Sequence, residues 1–402
     1  MLRRIGDRNI LVVFAATLLL GAGYGVSIAL TSLHLDARHF TKHDIGTLAA
    51  WFALGIVALS LPMGALIRRF SARAVLVASL LGYAACVSLF PHLHGYAAIA
   101  AARSLDGAFS VGVWVSSETI LLSRASREHK AYVTSLYAVA VAVGYVVGPL
   151  VARWIVSVAP TSTAFLASGA LALSASALVL ARLDADVPDT HGHDAAADGP
   201  PVSAWALLWR IKTSCFGTFA YGYFQASVVL FLPLFLVESK GVAREQTILV
   251  PAFFAAGMLL FSNVAGRVAD RVGHLRVMRA LAVVGAATTG SFILLDRFAL
   301  MAAAVFVAGA TLASISPVSL ALQGVVTEPW NYSRSNAIYN AFYAAGMLLG
   351  PPVSSALFES VGGAGMLAHL AALWAVFAGF AWVYAKDDPA AAPQGSSARS
   401  PQ

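Results

Sequence analysis

Two ionisable side chains stand inside an otherwise apolar stretch of the chain. Arg103 and Asp106 are three residues apart in the segment RSLDGAFSVG, a spacing that places both on one face of a helix, within reach of each other. Charged groups deep in an apolar segment are costly, and in membranes they commonly mark a pathway for ions or substrate. The pair therefore indicates a functional site, although an ion pair that only packs the helix would have the same spacing.

A third acid follows on the same stretch. Glu118 lies roughly 18 Å beyond Asp106 at the helical rise of about 1.5 Å per residue. That depth brings it level with the basic residues Arg68, Arg69 and Arg73. We therefore expect Glu118 to act first as a structural latch, with proton coupling as the alternative.

Polar and aromatic residues on several apolar segments could bind a small ligand. Asn336, Tyr339, Asn340 and Tyr343 recur at steps of three and four residues and so share one helical face. A stripe this polar should not face lipid, but it could equally bridge helices by hydrogen bonds. The full set of candidate ligand contacts comprises Tyr24, Ser27, Trp114, Tyr137, Gln225, Asn263, Ser316, Gln323, Asn336, Tyr339, Asn340 and Tyr343.

The composition shows what kind of structure must position these side chains. Of the 402 residues, 59% are apolar and only 11% are charged, against about 25% charged residues in an average soluble domain. The uncharged run over residues 11–33 reaches the roughly 20 residues that a membrane-spanning helix needs. Twelve such helices nearly use up the chain. We expect an all-α integral membrane protein with twelve transmembrane helices, no separate soluble domain, no enzymatic activity and no cofactor.

The only long polar break divides these helices into six and six. We predict a first bundle over residues 1–182, a linker over 183–204, a second bundle over 205–385 and a disordered tail over 386–402. The predicted spans within the bundles cover residues 9–34, 44–67, 73–93, 96–123, 130–158, 162–182, 205–237, 246–269, 275–295, 298–328, 333–359 and 363–385.

Charge and cysteine usage set the expected topology and exclude other classes. Most of the 26 Lys and Arg residues fall on the side of the two termini, which predicts an inner or plasma membrane protein with both termini in the cytoplasm. This asymmetry explains the net charge of +7 better than a nucleic-acid partner does. Cys86 and Cys215 both lie in apolar runs, so neither a disulfide framework nor a metal site is expected.

An internal repeat relates the two predicted bundles. A shift of 202 residues superimposes five glycines of the first half on glycines of the second, where about one match is expected from the glycine content. The pairs are Gly55 with Gly257, Gly64 with Gly266, Gly107 with Gly309, Gly144 with Gly346, and Gly148 with Gly350. We therefore expect two pseudo-symmetric six-helix bundles that enclose a cavity and rock to expose it alternately.

The loop motifs of the chain resemble those of the major facilitator superfamily. Its Gly-…-Asp-Arg-…-Gly signature appears as GRVADRVGHLR at residues 266–276, and a degenerate copy, GALIRRFSAR, lies at 64–73. In the copy, Arg68 replaces the Asp and Ser71 replaces the second Gly. The family uses this loop as a cytoplasmic latch; the alternative is a basic turn that only fixes topology. The latch candidates are Gly64, Arg69, Arg73, Gly266, Asp270, Arg271, Gly273 and Arg276.

Two further motifs carry the resemblance. The family associates an Arg at the position of Arg103 with proton coupling. It also associates a glycine run ending in proline with export, and the segment GYVVGP matches a shortened form of that run. The copy GMLLGP in the second half indicates that helix packing accounts for much of the signal. The residues concerned are Gly144, Gly148, Pro149, Gly346, Gly350 and Pro351.

The sequence and the resemblance together predict a monomeric secondary transporter. We expect proton-coupled export of a small neutral or weakly polar organic compound, because the candidate cavity is rich in Tyr, Trp, Gln and Asn and poor in charge. Proton-linked uptake of a metabolite is the first alternative. A transporter-like sensor or assembly factor that binds without turnover is the second. The sequence has no nucleotide-binding loop of the G-x-x-x-x-G-K-[ST] type, so ATP-driven pumping is not expected.

Overall fold

The computed structural model describes residues 7–124, 130–184, 202–328 and 331–388. These residues form helices joined by short turns, and no strand occurs among them. Most of the predicted linker and nearly all of the predicted tail lie outside the described residues.

Helices α1 to α6 form the first half, and α7 to α13 form the second. The first six are α1 (Arg8–Ala37), α2 (Lys42–Phe70), α3 (Ala72–Leu89), α4 (Tyr96–Arg124), α5 (Lys130–Val158) and α6 (Thr161–Arg182). The others are α7 (Ala204–Arg210), α8 (Lys212–Lys240), α9 (Arg244–Thr247), α10 (Val250–Val272), α11 (His274–Ser291), α12 (Phe298–Val326) and α13 (Tyr332–Val383).

Helix α13 supplies two of the twelve spans. Its 52 residues are interrupted at Gly362, whose φ of +79° is non-helical, so the arms over 332–361 and 363–383 are separate helices. In the described part of the chain, nine helices are long and apolar enough to cross a membrane when α13 is counted once. The second arm, α11 and the charge-bearing α4 complete the predicted twelve, which confirms the fold class.

Two predicted spans begin differently in the structure. The predicted span 205–237 is broken at Ile211, which separates the short α7 from α8. The predicted span 246–269 starts with the single turn α9 before α10 begins. In both places a short helix precedes the main helix of the span, separated from it by one or two residues. Apolar content alone does not reveal such a break.

Close helix crossings repeat between the halves with the 202-residue shift. A Cβ on Gly55 of α2 would meet the backbone of Ser104 in α4, and one on Gly257 of α10 would meet the backbone of Phe306 in α12. The predicted packing glycines do the same elsewhere: Gly144 and Gly148 of α5 meet the backbone of α1, and Gly346 and Gly350 of α13 meet that of α8. The two halves therefore share one internal arrangement.

The same relationship governs how the halves meet. Helix α2 packs against α13, and α10 packs against α5. We call the end at which α1 begins and α6 ends the linker end, and the opposite end, where α1 passes into α2, the far end.

The degenerate loop motif keeps the backbone shape of its copy. Ser71, between α2 and α3, has φ +80° and ψ 151°, and Gly273, between α10 and α11, has φ +102° and ψ 137°. This region of φ/ψ space is nearly confined to glycine and strains other residues. The Ser71 side chain offsets part of that strain by accepting a hydrogen bond from the backbone N–H of Ala74 (3.2 Å).

Candidate functional site

A cavity of about 180 Å³ lies between the two halves. That volume exceeds the roughly 150 Å³ at which an engineered apolar cavity takes up a benzene molecule. Its walls come from α1, α2, α4 and α5 on one side and from α8, α10 and α13 on the other. The lining residues are Tyr24, Ile28, Thr31, Ala49, Phe52, Arg103, Trp114, Tyr145, Gln225, Ala226, Val229, Leu230, Pro251, Phe254, Ala255, Met258, Tyr343 and Met347.

Aromatic rings cluster on the wall of the first half. The Tyr24 ring centroid lies 4.5 Å from that of Tyr83, 6.3 Å from that of Trp114 and 6.4 Å from that of Tyr145. The Tyr24 hydroxyl is hydrogen-bonded to the Ser110 hydroxyl. This hydrogen bond and these tilted ring contacts fix the orientation of the Tyr24 ring at the cavity.

The ion pair predicted from the sequence forms and reaches the cavity through its cation. The Arg103 Nη1 lies 2.5 Å from the Asp106 Oδ2, and the Arg103 guanidinium lies 4.5 Å above the Phe52 ring. Asp106 is buried, and its Oδ1 has no hydrogen-bond partner among the described residues. A carboxylate with one oxygen paired and the other without a partner can take a proton at the second oxygen.

The wall of the second half is uncharged and mostly apolar, with Gln225 and Tyr343 as its polar residues. The Tyr343 hydroxyl donates to the Gln225 Oε1 (3.1 Å), and the Tyr221 ring stacks on Tyr343 with centroids 6.1 Å apart. The 202-residue shift places Val305 and Ala308 at the positions of Arg103 and Asp106. Both are buried and apolar, so the ionisable pair has no counterpart at its repeat-related positions in the second half.

The predicted ligand contacts divide into two groups. Tyr24, Trp114, Gln225 and Tyr343 line the cavity, as does Arg103. The remaining candidates do not line it, and most of the buried ones bridge helices or bond locally. The Tyr339 hydroxyl is hydrogen-bonded to the Ser319 hydroxyl and donates to the Ser316 carbonyl. The Gln323 amide donates to the Ser335 hydroxyl, and the Ser27 hydroxyl donates to the Tyr24 carbonyl. Tyr137 is buried, and Asn263, Asn336 and Asn340 are exposed.

The predicted polar stripe on α13 therefore does not act as one surface. Tyr343 faces the cavity, Tyr339 points to α12, and the two asparagines of the stripe are exposed. Glu118 is also exposed, and in the part of the chain that the structure describes no ion pair joins it to the basic residues at 68, 69 and 73.

Several cavity residues were not predicted from the sequence, and many of them are related by the repeat. Tyr145 stands inside the GYVVGP segment, for which the sequence indicates helix packing and, through the resemblance, export, but not a contact with a ligand. The lining positions recur 202 residues apart, but most paired residues differ in type, so the recurrence shows in the structure and not in a comparison of residue types. The pairs are Tyr24 with Ala226, Ile28 with Leu230, Ala49 with Pro251, Phe52 with Phe254, and Tyr145 with Met347.

Ion pairs between the halves close the far end. The Lys42 Nζ lies 2.7 Å from an Asp36 oxygen and 2.5 Å from a Glu238 oxygen. The Arg244 guanidinium reaches Asp36 at 2.6 Å. The Lys42 and Asp36 side chains are only 14% and 15% exposed, whereas Glu238 and Arg244 are 40% and 44% exposed, so solvent screens the bridges between the halves in part.

At the linker end, the polar contacts of Arg210 and of the latch candidates stay within one half among the described residues. Arg210 pairs with Glu328 and, by donating to it, lowers the pKa of that carboxyl below its usual value. The latch candidates behave in the same way in the described chain. Arg73 donates to the Leu180 carbonyl, Arg69 lies over the Phe70 ring, the Asp270 Oδ1 lies 3.4 Å from the His274 Nε2, and Arg276 donates to the Val272 carbonyl. A Cβ on Gly64 would come within 3.5 Å of the Arg68 Nη1, and Gly266 is open on its Cβ side.

Comparisons with known proteins agree with this architecture. Residues 12–243 and 214–401 match the family model described as Major Facilitator Superfamily. The chain is 25% identical over 358 residues to the uncharacterized MFS-type transporter YcaD of Escherichia coli O139:H28 (strain E24377A / ETEC), covering 88% of this chain and 90% of YcaD. YcaD of Shigella flexneri serotype 5b (strain 8401) matches to the same extent.

Solved structures share the fold at low sequence identity. A point mutant of the nucleoside transporter NupG superimposes with a TM-score of 0.78 at 14% identity, covering 94% of this chain and 98% of NupG. A bacterial homologue of the human lysosomal transporter Spinster, inward-facing and occupied, gives 0.75 at 12% identity, with 94% and 97% covered. The human organic anion transporter TETRAN gives 0.66 at 15% identity, with 93% and 99% covered. Because the family model spans nearly the whole chain and the twelve-helix arrangement is shared, the chain belongs to the major facilitator superfamily of multi-pass membrane transporters.

Proposed function

We propose that this transporter is a proton-coupled exporter of a small neutral or weakly polar organic compound. It works by alternating access, as a monomer in the inner or plasma membrane, with both termini in the cytoplasm. The observation that carries the proposal is the cavity between the halves, with the Arg103–Asp106 pair at its wall.

The charge of the cavity supports an uncharged substrate. Arg103 is the only charged residue among the lining residues described, and Asp106 neutralises it at 2.5 Å. A strongly anionic substrate would be held by several basic groups with forked hydrogen bonds, and a cation would be held by an unpaired acid. The structurally similar transporters named above include a nucleoside and an organic anion transporter, and the balanced pair favours the neutral class.

Proton coupling is assigned to Asp106 through its contact with Arg103. Protonation of the carboxylate would remove the charge that holds Arg103, and the guanidinium could then turn toward the cavity. Substrate binding next to Arg103 and proton binding at Asp106 would in this way be linked, because each changes the surroundings of the same guanidinium.

Vesicle transport with a defined pH gradient tests both coupling and direction. We would reconstitute the protein into liposomes, select inside-out vesicles by protease accessibility of the termini, and acidify the interior. Export predicts that a substrate identified by thermal-shift screening accumulates inside while protons leave, whereas empty liposomes show neither flux. Accumulation only when the exterior is acidic would replace export by proton-linked uptake.

The same experiment separates transport from a sensing role. A substrate that raises the melting temperature of the protein but never moves a proton or itself across the liposome membrane would favour a sensor or assembly factor. The degenerate first-half loop, with Ser71 in place of glycine, is the observation that keeps this class as an alternative.

A further inference from the structure

We infer that the ligand of the cavity is a small uncharged compound with a planar aromatic ring and a hydrogen-bond acceptor. The inference rests on the proposed function, since it names the substrate class for the same site. Three features of the described residues carry it: opposed aromatic walls, one amide donor without a partner, and a charge pair that cancels.

Aromatic side chains line the cavity from both halves. Tyr24, Phe52, Trp114 and Tyr145 come from the first half, and Phe254 and Tyr343 from the second. Ring-to-ring contacts occur within each wall, as between Tyr24 and Trp114 or between Tyr221 and Tyr343. Among the described residues, however, no ring contact joins a cavity ring of one half to a cavity ring of the other.

The aromatic side chains of the two halves therefore border the same cavity without contacting each other across it, and we call this space between them the slot. A planar ring inserted there can stack against one wall or meet it edge-on, an attraction that a saturated ring of similar size does not gain. Met258 and Met347 also line the slot, and their sulfur atoms make favourable contacts with aromatic rings.

Gln225 provides the polar contact that would orient the ring. Its Oε1 already accepts the hydrogen bond of the Tyr343 hydroxyl. Its amide N–H groups have no hydrogen-bond partner in the described part of the chain. A ligand carbonyl, amide or ring nitrogen would fill that position, while a pure hydrocarbon would leave the amide without a partner.

The charge balance restricts the ligand further. The Arg103–Asp106 pair cancels at the wall, and the repeat-related positions of the second half carry Val305 and Ala308. While this pair is intact, a carboxylate or ammonium on the ligand would lose its hydration without gaining a free counter-charge, which penalises both.

Matched pairs of compounds test the inference directly. We would measure binding to the full-length protein in lipid nanodiscs by calorimetry, using benzamide with cyclohexanecarboxamide and naphthalene-2-carboxamide with its decahydro counterpart. We expect the aromatic member of at least one pair to bind tenfold or more tightly than the saturated member. The corresponding carboxylates and the methyl compounds without an acceptor should bind at least fivefold more weakly than the aromatic amide.

Two variants and a control locate the effect. Trp114→Leu should reduce the aromatic preference below threefold, and Gln225→Leu should remove the preference for the amide over the methyl compound. Trp154→Leu, at a Trp that is 67% exposed on α5, should leave both preferences unchanged. If Trp114→Leu does not retain a cooperative thermal transition, Phe254→Leu on the opposite wall replaces it.

The outcomes distinguish this inference from the transport proposal. Equal binding of aromatic and saturated members, or unchanged preferences in both cavity variants, would overturn the aromatic class. So would gradient-driven transport of a saturated compound by a protein that binds no aromatic amide, although that result would support the transport proposal. Selective binding of the aromatic amide without any proton-linked flux would support the aromatic class and overturn the transport proposal.

Discussion

At the residue scale, the pairing of Asp106 with Arg103 gives the sharpest expectation. Replacing Asp106 by Asn removes the only ionisable partner of Arg103 in the described structure while keeping the shape of the side chain. We expect Asp106→Asn to reduce proton-driven accumulation by at least tenfold and to leave substrate exchange across the membrane within about twofold. Both rates are measured in liposomes with and without a pH gradient.

Glu118→Gln is the matched comparison for that variant. Glu118 lies on the same helix but is exposed, so its loss should leave gradient-driven accumulation within twofold. An unchanged pH dependence in Asp106→Asn would remove the coupling assignment from Asp106. Because a buried unpaired Arg is destabilising, the double variant Arg103→Gln/Asp106→Asn serves as the stability control.

The residue scale also shows what the sequence could predict and what it could not. The i,i+3 spacing of Arg103 and Asp106 indicated their ion pair, which the structure contains, since both partners lie on one helix. The sequence could not show that the Tyr339 side chain contacts α12 and not the cavity, because a periodic pattern on one helix does not identify the neighbour that each residue faces. Only the packing of several helices decides that.

At the element scale, Ser71 occupies a backbone conformation that suits glycine. We expect Ser71→Gly to stabilise the protein by about 1 kcal/mol. The substitution relieves backbone strain of about 1–3 kcal/mol, and the loss of the Ser71 cap costs only a few tenths of a kcal/mol, because glycine is itself tolerated at the N-cap. Part of the gain is also lost because glycine has more conformational freedom than serine in the unfolded chain.

Thermal unfolding of purified protein in detergent measures this effect. The reciprocal change Gly273→Ser, at φ +102°, should lower the melting temperature. A fall in the melting temperature of Ser71→Gly would mean that the cap of Ala74 outweighs the strain at this turn.

The glycine crossings give a second expectation at this scale. A Cβ on Gly107 would collide with the backbone of Phe52, so Gly107→Ala must separate α2 from α4, at a cost of about 1–3 kcal/mol or more. Gly324, in α12, has open space on its Cβ side, so Gly324→Ala should be neutral or stabilising.

The yield of monodisperse protein by size-exclusion chromatography and its melting temperature compare the two substitutions. Equal behaviour of both variants would contradict the close crossing at Gly107.

The long apolar runs of the sequence predict the helices of this chain, because a bilayer requires each run to satisfy its own backbone hydrogen bonds. The positions at which a helix breaks within such a run are harder to predict. The turn at Gly362 falls in a predicted gap, since glycine accepts its positive φ. No glycine or proline marks the break at Ile211, so the segment AWALLWRIK is predicted as part of one continuous helix. The short helix α7 before the break packs against α13.

At the scale of the whole molecule, the ion pairs at the far end favour the conformation that is closed there. Lys42→Met removes the cation between Asp36 and Glu238. For a half-buried bridge, the loss is about 1–2 kcal/mol, which changes the ratio of closed to open molecules by a factor of about 5 to 30. We expect the far end to open more often in this variant.

Spin-label distances across the far end measure that change. Labels at Ala37→Cys and Glu245→Cys, both at exposed positions of opposite halves, should gain a longer-distance population in Lys42→Met. Lys240→Met is the matched control, since its partner Asp296 belongs to the same half. Cys86 and Cys215 are buried, so background labelling is low. Equal distance distributions in both variants would assign closure to helix packing rather than to the ion pairs.

Repeat arithmetic on the sequence predicted the paired halves, because backbone crossings tolerate only glycine at fixed positions. It could not predict which end is closed. The charges at this end do recur with the 202-residue shift, which relates Asp36 to Glu238 and Lys42 to Arg244. The shift does not say whether the acid of one half meets the base of the other, because that depends on how the helix ends of the two halves pack.

The apolar residues at 305 and 308, opposite the charges at 103 and 106, give the halves unequal tasks. Under the proposed mechanism, one bundle holds the ionisable pair as well as part of the cavity wall, while the cavity wall of the other bundle is uncharged. Selection for a new cargo can then remodel α8, α10 and α13 without disturbing the proposed coupling residues. Within a lineage of such proteins, substrate range should diversify fastest on that side, and a chimaera that keeps helices α1 to α6 should inherit the driving ion while changing what is carried.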